Sequence, residues 1–342
     1  MVPANSYDLK AAWSALAADS QPNGGWSTIR LRGDLPRKVY AGVHVPTKTE
    51  AVLFAFSKSI VLQNLTLPDG KGFAVELLAD DTQGVDVYLA VRKKQGFDLG
   101  LFTKMAEDVL NIVNLAGGDE LKVARVLLER ILAWQEFMRS YGKNCLSERE
   151  ELGLIGELFV FRLLINSGLS ARDVLMCWSG PRHSIHDFVF DMLRIEVKTT
   201  IAEKSPIAYV GSLDQLSPLS GSEGALYLAH LSLRTTESGE SLPELVRDIL
   251  LMLPKEDSFR DYFASTLTLA GYDDASNCPY ALRVMKKNFC IYEVDRSFPS
   301  LRRDNVPSSI ANAEYQLDLD KLRIQPLNLT DVLQANGLIH GA

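Results

Sequence analysis

The stretch Ser184–Thr200, SIHDFVFDMLRIEVKTT, decides the fold that this sequence predicts. Its first part, residues 185–190, is rich in β-branched and aromatic residues, which favour a strand. Asp191 and Met192 form a turn signal, and residues 193–200 then alternate between apolar and charged or polar side chains. The pattern predicts two short antiparallel strands joined by a tight turn.

Charged residues on these two strands are predicted to meet. Glu196 and Lys198 lie two positions apart, so they share one strand face about 7 Å apart along the chain. Asp187 lies nine positions before Glu196, and folding at the turn brings it back near the same end. Two carboxylates and a lysine at one point can hold a divalent cation with a water molecule beside it.

The acid-x-Lys triplet carries little information alone, because the chain contains four of them. They are Asp8-Leu9-Lys10, Asp69-Gly70-Lys71, Glu120-Leu121-Lys122 and Glu196-Val197-Lys198. Only the last ends a predicted strand, has an aspartate in the strand before it and follows a helix with an unusual carboxylate. The context therefore selects Glu196.

That helix is predicted from Ser147, which forms an S-x-x-E capping box with Glu150, to a left-handed stop at Gly168. Glu157 lies on it among apolar residues at helical spacing. A carboxylate on an apolar face needs a partner, because unpaired burial costs several kcal/mol. Glu157 is either part of the site or an outward-facing residue at the edge of the apolar stripe.

The predicted order of elements around this site is αβββαβ, which indicates an α/β (α+β) fold. The elements are a helix at 147–168, strands at 174–178, 185–190 and 193–200, a short helix at 212–219 and a strand at 225–234. Further helices are expected at 242–253 and 259–269, and a last strand at 289–294.

At these residues the sequence resembles the PD-(D/E)XK nuclease superfamily of restriction-endonuclease-like and Mrr-like enzymes. More narrowly, it resembles the PD-(D/E)XK motif proteins of bacterial restriction and phage-defence clusters. The matching stretches are GELFVFRLL with Glu157, HDFVF with Asp187, IEVKTT with Glu196 and Lys198, LDQL with Gln215, and residues 297–319. Ile185-His186 stands where a proline nominally precedes the aspartate.

The resemblance implies Mg²⁺-dependent hydrolysis of DNA, with Mn²⁺ as a possible substitute and RNA as an open alternative. Asp187, Glu196 and the carbonyl of Val197 would bind the metal, and Lys198 would position the attacking water. Glu157 would complete a second metal position or hydrogen-bond the ligands of the first. Gln215 would orient a base or the scissile phosphate, with an ordinary surface role as the alternative.

The resemblance also implies companions. An ATPase or helicase-like protein and a methyltransferase are expected nearby, and cleavage of both strands with one site per chain would suggest a homodimer. The alternative function is a catalytically silent subunit for recognition or assembly in a defence complex.

The length of 342 residues predicts more than one domain. We expect a mostly antiparallel β-domain at 1–98, a helical connector at 99–145 and a nuclease-like domain at 146–342. The composition, 46% apolar and 23% charged, is that of a globular protein. The four cysteines show no C-x-x-C spacing, so neither zinc nor a disulfide framework is expected, and a cytoplasmic location fits. No signal peptide or membrane span is predicted.

The net charge of −7 counts against indiscriminate nucleic-acid binding. Residues 281–303, however, carry six cations and two anions, and their local charge of +4 suits a phosphate backbone as well as an ordinary solvated surface. Arg182 and His183 are possible phosphate contacts, whereas a metal-binding or general-base role for His183 or His186 is less favoured.

Overall fold

The fold was analysed in a computed structural model, which describes residues 8–18, 25–31, 38–57, 67–79, 86–116, 119–140, 145–180, 184–201, 205–218, 224–272 and 278–340. The chain divides into two compact units. The first comprises Met1–Lys143 and Glu256–Leu269, and the second comprises Asn144–Lys255 and Ala270–Ala342. The segments predicted at 1–98, 99–145 and 146–342 remain predictions as independent domains.

The first unit is built on a five-stranded antiparallel sheet. Its strands are β1 (Trp26–Arg30), β2 (Val39–His44), β3 (Thr49–Ser57), β4 (Phe73–Ala79) and β5 (Asp86–Lys93), in the order β1-β2-β3-β5-β4. The helices are α1 (Leu9–Ala18), α2 (Leu99–Ala116), α3 (Glu120–Ser140) and α7 (Asp257–Leu269). The antiparallel β-structure predicted for the N-terminal part is therefore present.

A buried ion pair connects helices α2, α3 and α7 of the first unit. The Arg130 guanidinium on α3 donates to both carboxylate oxygens of Asp108 on α2, at 2.6 and 2.7 Å, and Trp134 Nε1 donates to Asp108 at 2.7 Å. The guanidinium also lies 4.7 Å from the ring centroid of Tyr262 on α7. A fully buried charge needs such partners, because it would otherwise be strongly destabilising.

The second unit contains a four-stranded mixed sheet with helices beside it. Its strands are β6 (Phe188–Val189), β7 (Leu193–Ile201), β9 (Ala225–Ser241) and β10 (Arg283–Glu293), in the order β10-β9-β7-β6. Strands β7 and β9 are parallel, and the other neighbours are antiparallel. Strands β8 (Ile207–Val210) and β11 (Tyr315–Asp318) form a separate antiparallel pair. The helices are α4 (Glu148–Asn166), α5 (Ala171–Cys177), α6 (Leu242–Met252) and α8 (Leu329–Ala335).

The hairpin formed by β6 and β7 has the register predicted from the sequence. Phe188 pairs with Ile195, and the Phe190 N–H donates to the Leu193 carbonyl at 2.8 Å across the turn. Gly224, with φ +91°, precedes β9 and lies against this turn. A Cβ at Gly224 would come within 2.3 Å of the Met192 carbonyl oxygen, so only glycine fits there.

Helix α4 begins and ends as predicted. The Ser147 and Glu150 capping box is present, and Gly168 adopts φ +107° just beyond the end. The α+β class is also confirmed, since helices and mostly antiparallel strands share the second unit.

The predicted strand at 174–178 is wrong. These residues belong mainly to α5, which Ser170 caps by accepting the Asp173 N–H at 3.0 Å. Only Trp178 makes a β-bridge, to Phe188. The local cap therefore overrides the strand propensity of the apolar residues that follow it.

The predicted helix at 212–219 is also absent from the described residues. Residues 213–216 form bends and turns, residues 212, 217 and 218 have no regular structure, and residue 219 lies outside the described part of the chain. Strands β8 and β11 were not predicted. Strands β9 and β10 extend well beyond their predicted ranges, while β6 is shorter than the predicted strand at 185–190.

Cys145 and Cys278 form a disulfide bond, with their Cα atoms 5.5 Å apart. The sequence spacing gave no sign of this pairing, because the two residues are 133 positions apart. The expectation of no disulfide framework is therefore corrected to one bridge within the second unit.

No helix in the described ranges is both long enough and apolar enough to cross a membrane.

Helix α4 lies unusually close to β7 at Gly156. A Cβ built on Gly156 would be 1.7 Å from Thr199 Oγ1 and 2.8 Å from Thr199 Cβ. Rotation of the threonine side chain cannot relieve the second contact, so the absence of a side chain at Gly156 sets the separation between helix and strand.

We expect Gly156→Ala to lower the melting temperature by several degrees, because overpacking of this kind costs roughly 1–3 kcal/mol. Gly153→Ala is the matched control in the same helix, since an added Cβ there meets nothing within 4 Å. It should be neutral or stabilising by up to about 1 kcal/mol. Differential scanning calorimetry of both variants tests this, and equal effects would contradict the close approach.

Candidate active site

Glu196 and Lys198 form the centre of the site on β7. Glu196 is only 2% exposed, and its Oε1 lies 2.6 Å from Lys198 Nζ. Both side chains point to the same face of the strand, as period-two alternation requires. Glu196 Oε2 is buried and has no hydrogen-bond partner among the described residues.

Asp187 lies next to this pair, one residue before β6. Its Oδ2 accepts a hydrogen bond from the Val197 N–H at 2.6 Å. Extension of the β6–β7 register places Asp187 opposite Glu196. Since the N–H and C=O of one strand residue point to the same edge, the Val197 carbonyl also lies on the Asp187 side of β7.

Glu157 on α4 completes the acidic group. Its Oε2 accepts a hydrogen bond from Trp178 Nε1 at 2.9 Å. Asp187 and Lys198 both influence its ionisation, so the three groups share one electrostatic environment. Glu157 therefore faces the hairpin, and the alternative of an outward-facing residue does not apply.

Gln215 reaches the site from the loop that follows β8. Its Oε1 accepts from Lys198 Nζ at 3.2 Å and from the Gly211 N–H at 2.8 Å. The residue was predicted on a helix, but a turn carries it instead. The structure thus brings together Asp187, Glu196, Lys198, Glu157 and Gln215.

Burial raises the pKa values of the three carboxyl groups, and repulsion by neighbouring carboxylates adds to the effect at Glu157 and Glu196. Burial, followed by the charge of Asp187, raises the pKa of Glu157 to about 8, and the Trp178 hydrogen bond and Lys198 only partly oppose this. Burial raises the pKa of Asp187 to about 6, against the opposing effects of Lys198 and the Val197 N–H. Burial, then Asp187, holds the pKa of Glu196 well above its usual range. One ammonium group does not balance three carboxylates, so the site favours a proton or a further cation.

The donor set fits a hard divalent cation. Asp187, Glu196 and the Val197 carbonyl supply only oxygen, and Mg²⁺ keeps several of its own waters, so it needs few protein ligands. The unpartnered Oε2 of Glu196 is a buried acceptor that a cation would satisfy. Within the described ranges, however, no three His, Cys, Asp or Glu side chains are grouped to ligate one ion. Any metal here would depend on two carboxylates and a backbone oxygen.

Two residues of the site were not assigned these contacts from the sequence. Trp178 donates the hydrogen bond to Glu157. The only sequence signal for such a donor was that a carboxylate on an apolar helix face needs a partner. His186 is 5% exposed, and its imidazole interacts with the Gln215 backbone. Burial, followed by the charge of Arg194, lowers the pKa of His186 to about 4, so the ring is neutral at pH 7.

The structure gives different results for the other cationic residues that were predicted as phosphate contacts. Arg182 and His183 lie outside the described residues. In the basic stretch 281–303, three arginines are engaged within the protein: Arg283 with Glu244, Arg302 with Asp304 and Arg303 with Asp214. These contacts favour the solvated-surface interpretation of that stretch over a continuous phosphate track.

A mixed sheet whose edge hairpin carries Asp187, Glu196 and Lys198, beside a helix carrying Glu157, defines a protein with a PD-(D/E)XK nuclease-like fold. A family model described as "Putative PD-(D/E)XK family member, (DUF4420)" matches residues 9–320, and the chain belongs to this family. Comparison with the curated proteins gave no match, and comparison with the solved structures gave none either.

The raised pKa of Glu157 predicts how stability depends on pH without metal. Because the folded pKa lies above the ordinary value of 4.5, the stabilisation from the neutral form is complete below pH 4.5 and is lost as the pH rises toward about 8. Glu157→Gln keeps an acceptor for Trp178 but removes the charge. We expect its melting temperature to fall by several degrees less than that of the wild type between pH 5 and 8.5.

Differential scanning calorimetry in EDTA measures this difference. Glu293→Gln, a change at an exposed glutamate, serves as the control and should keep the wild-type pH dependence. The same pH dependence in Glu157→Gln and the wild type would show that Glu157 does not hold its proton in the folded protein.

Proposed function

We propose that this protein is a Mg²⁺-dependent endonuclease that hydrolyses DNA phosphodiester bonds. The observation that carries the proposal is the position of Lys198 Nζ, between Glu196 Oε1 at 2.6 Å and Gln215 Oε1 at 3.2 Å, beside two further carboxylates. Membership of a PD-(D/E)XK family supports it, because proteins of that superfamily are usually nucleases that use divalent metals. Mn²⁺ is expected to replace Mg²⁺.

In the proposed reaction, Asp187, Glu196 and the Val197 carbonyl hold the cation. When bound, Mg²⁺ supplies Lewis-acid polarisation of the phosphoryl oxygen and makes a bound water more acidic. Lys198 orients the attacking water and offsets negative charge as it develops on the phosphate. Its ammonium is fixed by Glu196 and Gln215, so little reorganisation is needed during the reaction.

Glu157 and Gln215 have supporting roles in this proposal. Glu157 either contributes to a second metal position or accepts hydrogen bonds from waters of the first. Gln215 uses its Oε1 for Lys198 and Gly211, which leaves its amide nitrogen to donate to a substrate phosphate or base. Asp187 and Glu157 are both half-buried residues.

The resemblance to proteins of bacterial restriction and phage-defence clusters supports a role in defence against foreign DNA. An ATPase or helicase-like partner would then deliver the substrate, and a homodimer would allow both strands to be cut. RNA is the alternative substrate, because this set of groups recognises the phosphate rather than the sugar.

A second candidate function is a catalytically silent subunit for recognition or assembly. The observation that favours it is that, in the part of the chain that the structure describes, no three His, Cys, Asp or Glu side chains are grouped so that they could hold one metal ion. The direct ion pair between Glu196 and Lys198 would then serve only to stabilise the sheet.

Plasmid cleavage in Mg²⁺ or Mn²⁺, with and without proteins encoded by neighbouring genes, tests the enzymatic proposal. We expect Lys198→Ala to reduce the cleavage rate by at least about 100-fold, because it removes both the orienting group and the charge. Lys122→Ala is the matched control, since Lys122 belongs to an acid-x-Lys triplet on the exposed surface of α3. Equal cleavage by wild type and Lys198→Ala would refute the assignment.

Calorimetric titration with Mg²⁺ separates the enzyme from the silent subunit. We expect the wild type to bind Mg²⁺ with release of protons at pH 7, because the site carboxyl groups have raised pKa values that metal binding would lower. Asp187→Asn should abolish this binding, while Asp69→Asn, in a surface turn, should not change it. Binding that is absent from the wild type, or insensitive to Asp187→Asn, would favour the silent subunit.

A further inference from the structure

The loop that carries Gln215, residues 211–217, is held by contacts that arrive from a distant part of the chain. The loop has no regular secondary structure, so its own backbone pattern does not fix its position. Its position depends instead on groups elsewhere in the chain that hydrogen-bond to it. Three of them, Ser300, Arg303 and Asn312, lie in one later segment, and we name these three residues the clamp.

The clamp holds the loop at several points. Arg303 donates two hydrogen bonds to the Asp214 carboxylate, both at 2.7 Å. Ser300 Oγ donates to the Leu216 carbonyl at 2.9 Å. Asn312 accepts from the Leu213 N–H at 3.4 Å and donates to the Gly211 carbonyl at 3.3 Å. Residues on both sides of Gln215 are thereby fixed.

The site hairpin, β6–β7, also contacts this loop. The buried His186 imidazole, one residue before Asp187, interacts with the Gln215 backbone. Gln215 therefore lies between the site hairpin and the clamp, and its Oε1 meets Lys198 Nζ. A lysine on a flexible four-carbon stem needs such partners to keep its ammonium in one place.

The ion pair between Asp214 and Arg303 contributes little to the free energy of unfolding. The Arg303 side chain is 60% exposed and that of Asp214 is 34% exposed. Ion pairs in such surroundings typically contribute about 0–1 kcal/mol. The planar, two-bond geometry nevertheless fixes direction as well as distance. The hydrogen bond from Arg303 also lowers the pKa of Asp214, so the pair stays ionised at neutral pH.

We propose that Arg303 is a positioning residue of the active site: through Asp214 it holds the 211–217 loop so that Gln215 fixes the ammonium of Lys198. The kinetic consequence of this inference rests on the proposed nuclease function, whereas its structural consequence does not. The C-terminal segment thereby becomes part of the catalytic apparatus without touching the substrate.

The kinetic test is a double-mutant cycle. We expect Arg303→Met to lower kcat by about 10-fold with KM within about twofold, since a small misplacement of a catalytic group is costly. In a Gln215→Ala background the same change should have almost no further effect, because both changes act through one contact. Arg323→Met, at an exposed arginine of the same unit, is the control and should leave kcat unchanged.

The structural test uses nuclear magnetic resonance of protein labelled with ¹⁵N-glutamine. The side-chain amide signal of Gln215 is assigned by its loss in Gln215→Ala. It should shift or broaden in Arg303→Met and in Asp214→Asn, and should stay in place in Arg323→Met. Asp214→Asn breaks the pair from the other side and provides a second variant if Arg303→Met does not fold.

The two proposals fail in distinguishable ways. A wild type that cuts no nucleic acid would overturn the nuclease function, and the amide signal alone would then decide the role of Arg303. A Gln215 amide signal that is unmoved in both Arg303→Met and Asp214→Asn would overturn the positioning role whether or not the protein cuts. Additive losses of kcat in the double-mutant cycle would overturn it as well.

Discussion

The second unit depends on one electrostatic constraint: three carboxyl groups and a single ammonium lie together beside one β-hairpin. Burial raises the pKa values of all three carboxyl groups, and the charge of Asp187 raises those of Glu157 and Glu196 further. Such an arrangement is costly without a proton or cation to offset the charge. A sheet that needed only stability would place apolar residues here, so the cost itself points to a functional site.

The surrounding structure keeps these groups together. Gly156 lets α4 approach β7 closely enough to bring Glu157 to the hairpin, and Trp178 then fixes the Glu157 carboxylate. The tight turn, with Gly224 packed against it, sets the register that places Asp187 opposite Glu196. Helix, turn and strand each fix one carboxylate, which gives the site three independent supports.

Local patterns account for what could be predicted. The period-two alternation of residues 193–200 and the turn before it specify the hairpin register, since a slip by one residue would turn Glu196 and Lys198 to the other face. The capping box at Ser147 and the glycine at 168 specify α4 in the same way. The proximity of Asp187, Glu196 and Lys198 could therefore be predicted from residues close in sequence.

Long-range contacts account for what could not be predicted. The 211–217 loop is shaped by partners 84 to 101 positions away, and its own residues resemble a short helix when read alone. The disulfide joins residues 133 positions apart without a spacing motif. The wrong strand prediction at 174–178 has a different cause. Ser170 and Asp173 are a local helix-capping signal, but the prediction gave more weight to the apolar residues that follow them.

The charge distribution indicates how an acidic protein would bind a negatively charged substrate. The overall charge of −7 repels phosphate, and so do the carboxylates of the site. Three arginines of the basic stretch are used in ion pairs within the protein. Mg²⁺ would reverse the sign of the potential at the one place where phosphate must enter, so that binding and chemistry would depend on the same ion. If the protein is the nuclease proposed above, its general surface would add little affinity for DNA, and selection of the substrate would fall to the site itself and to the proposed partner proteins.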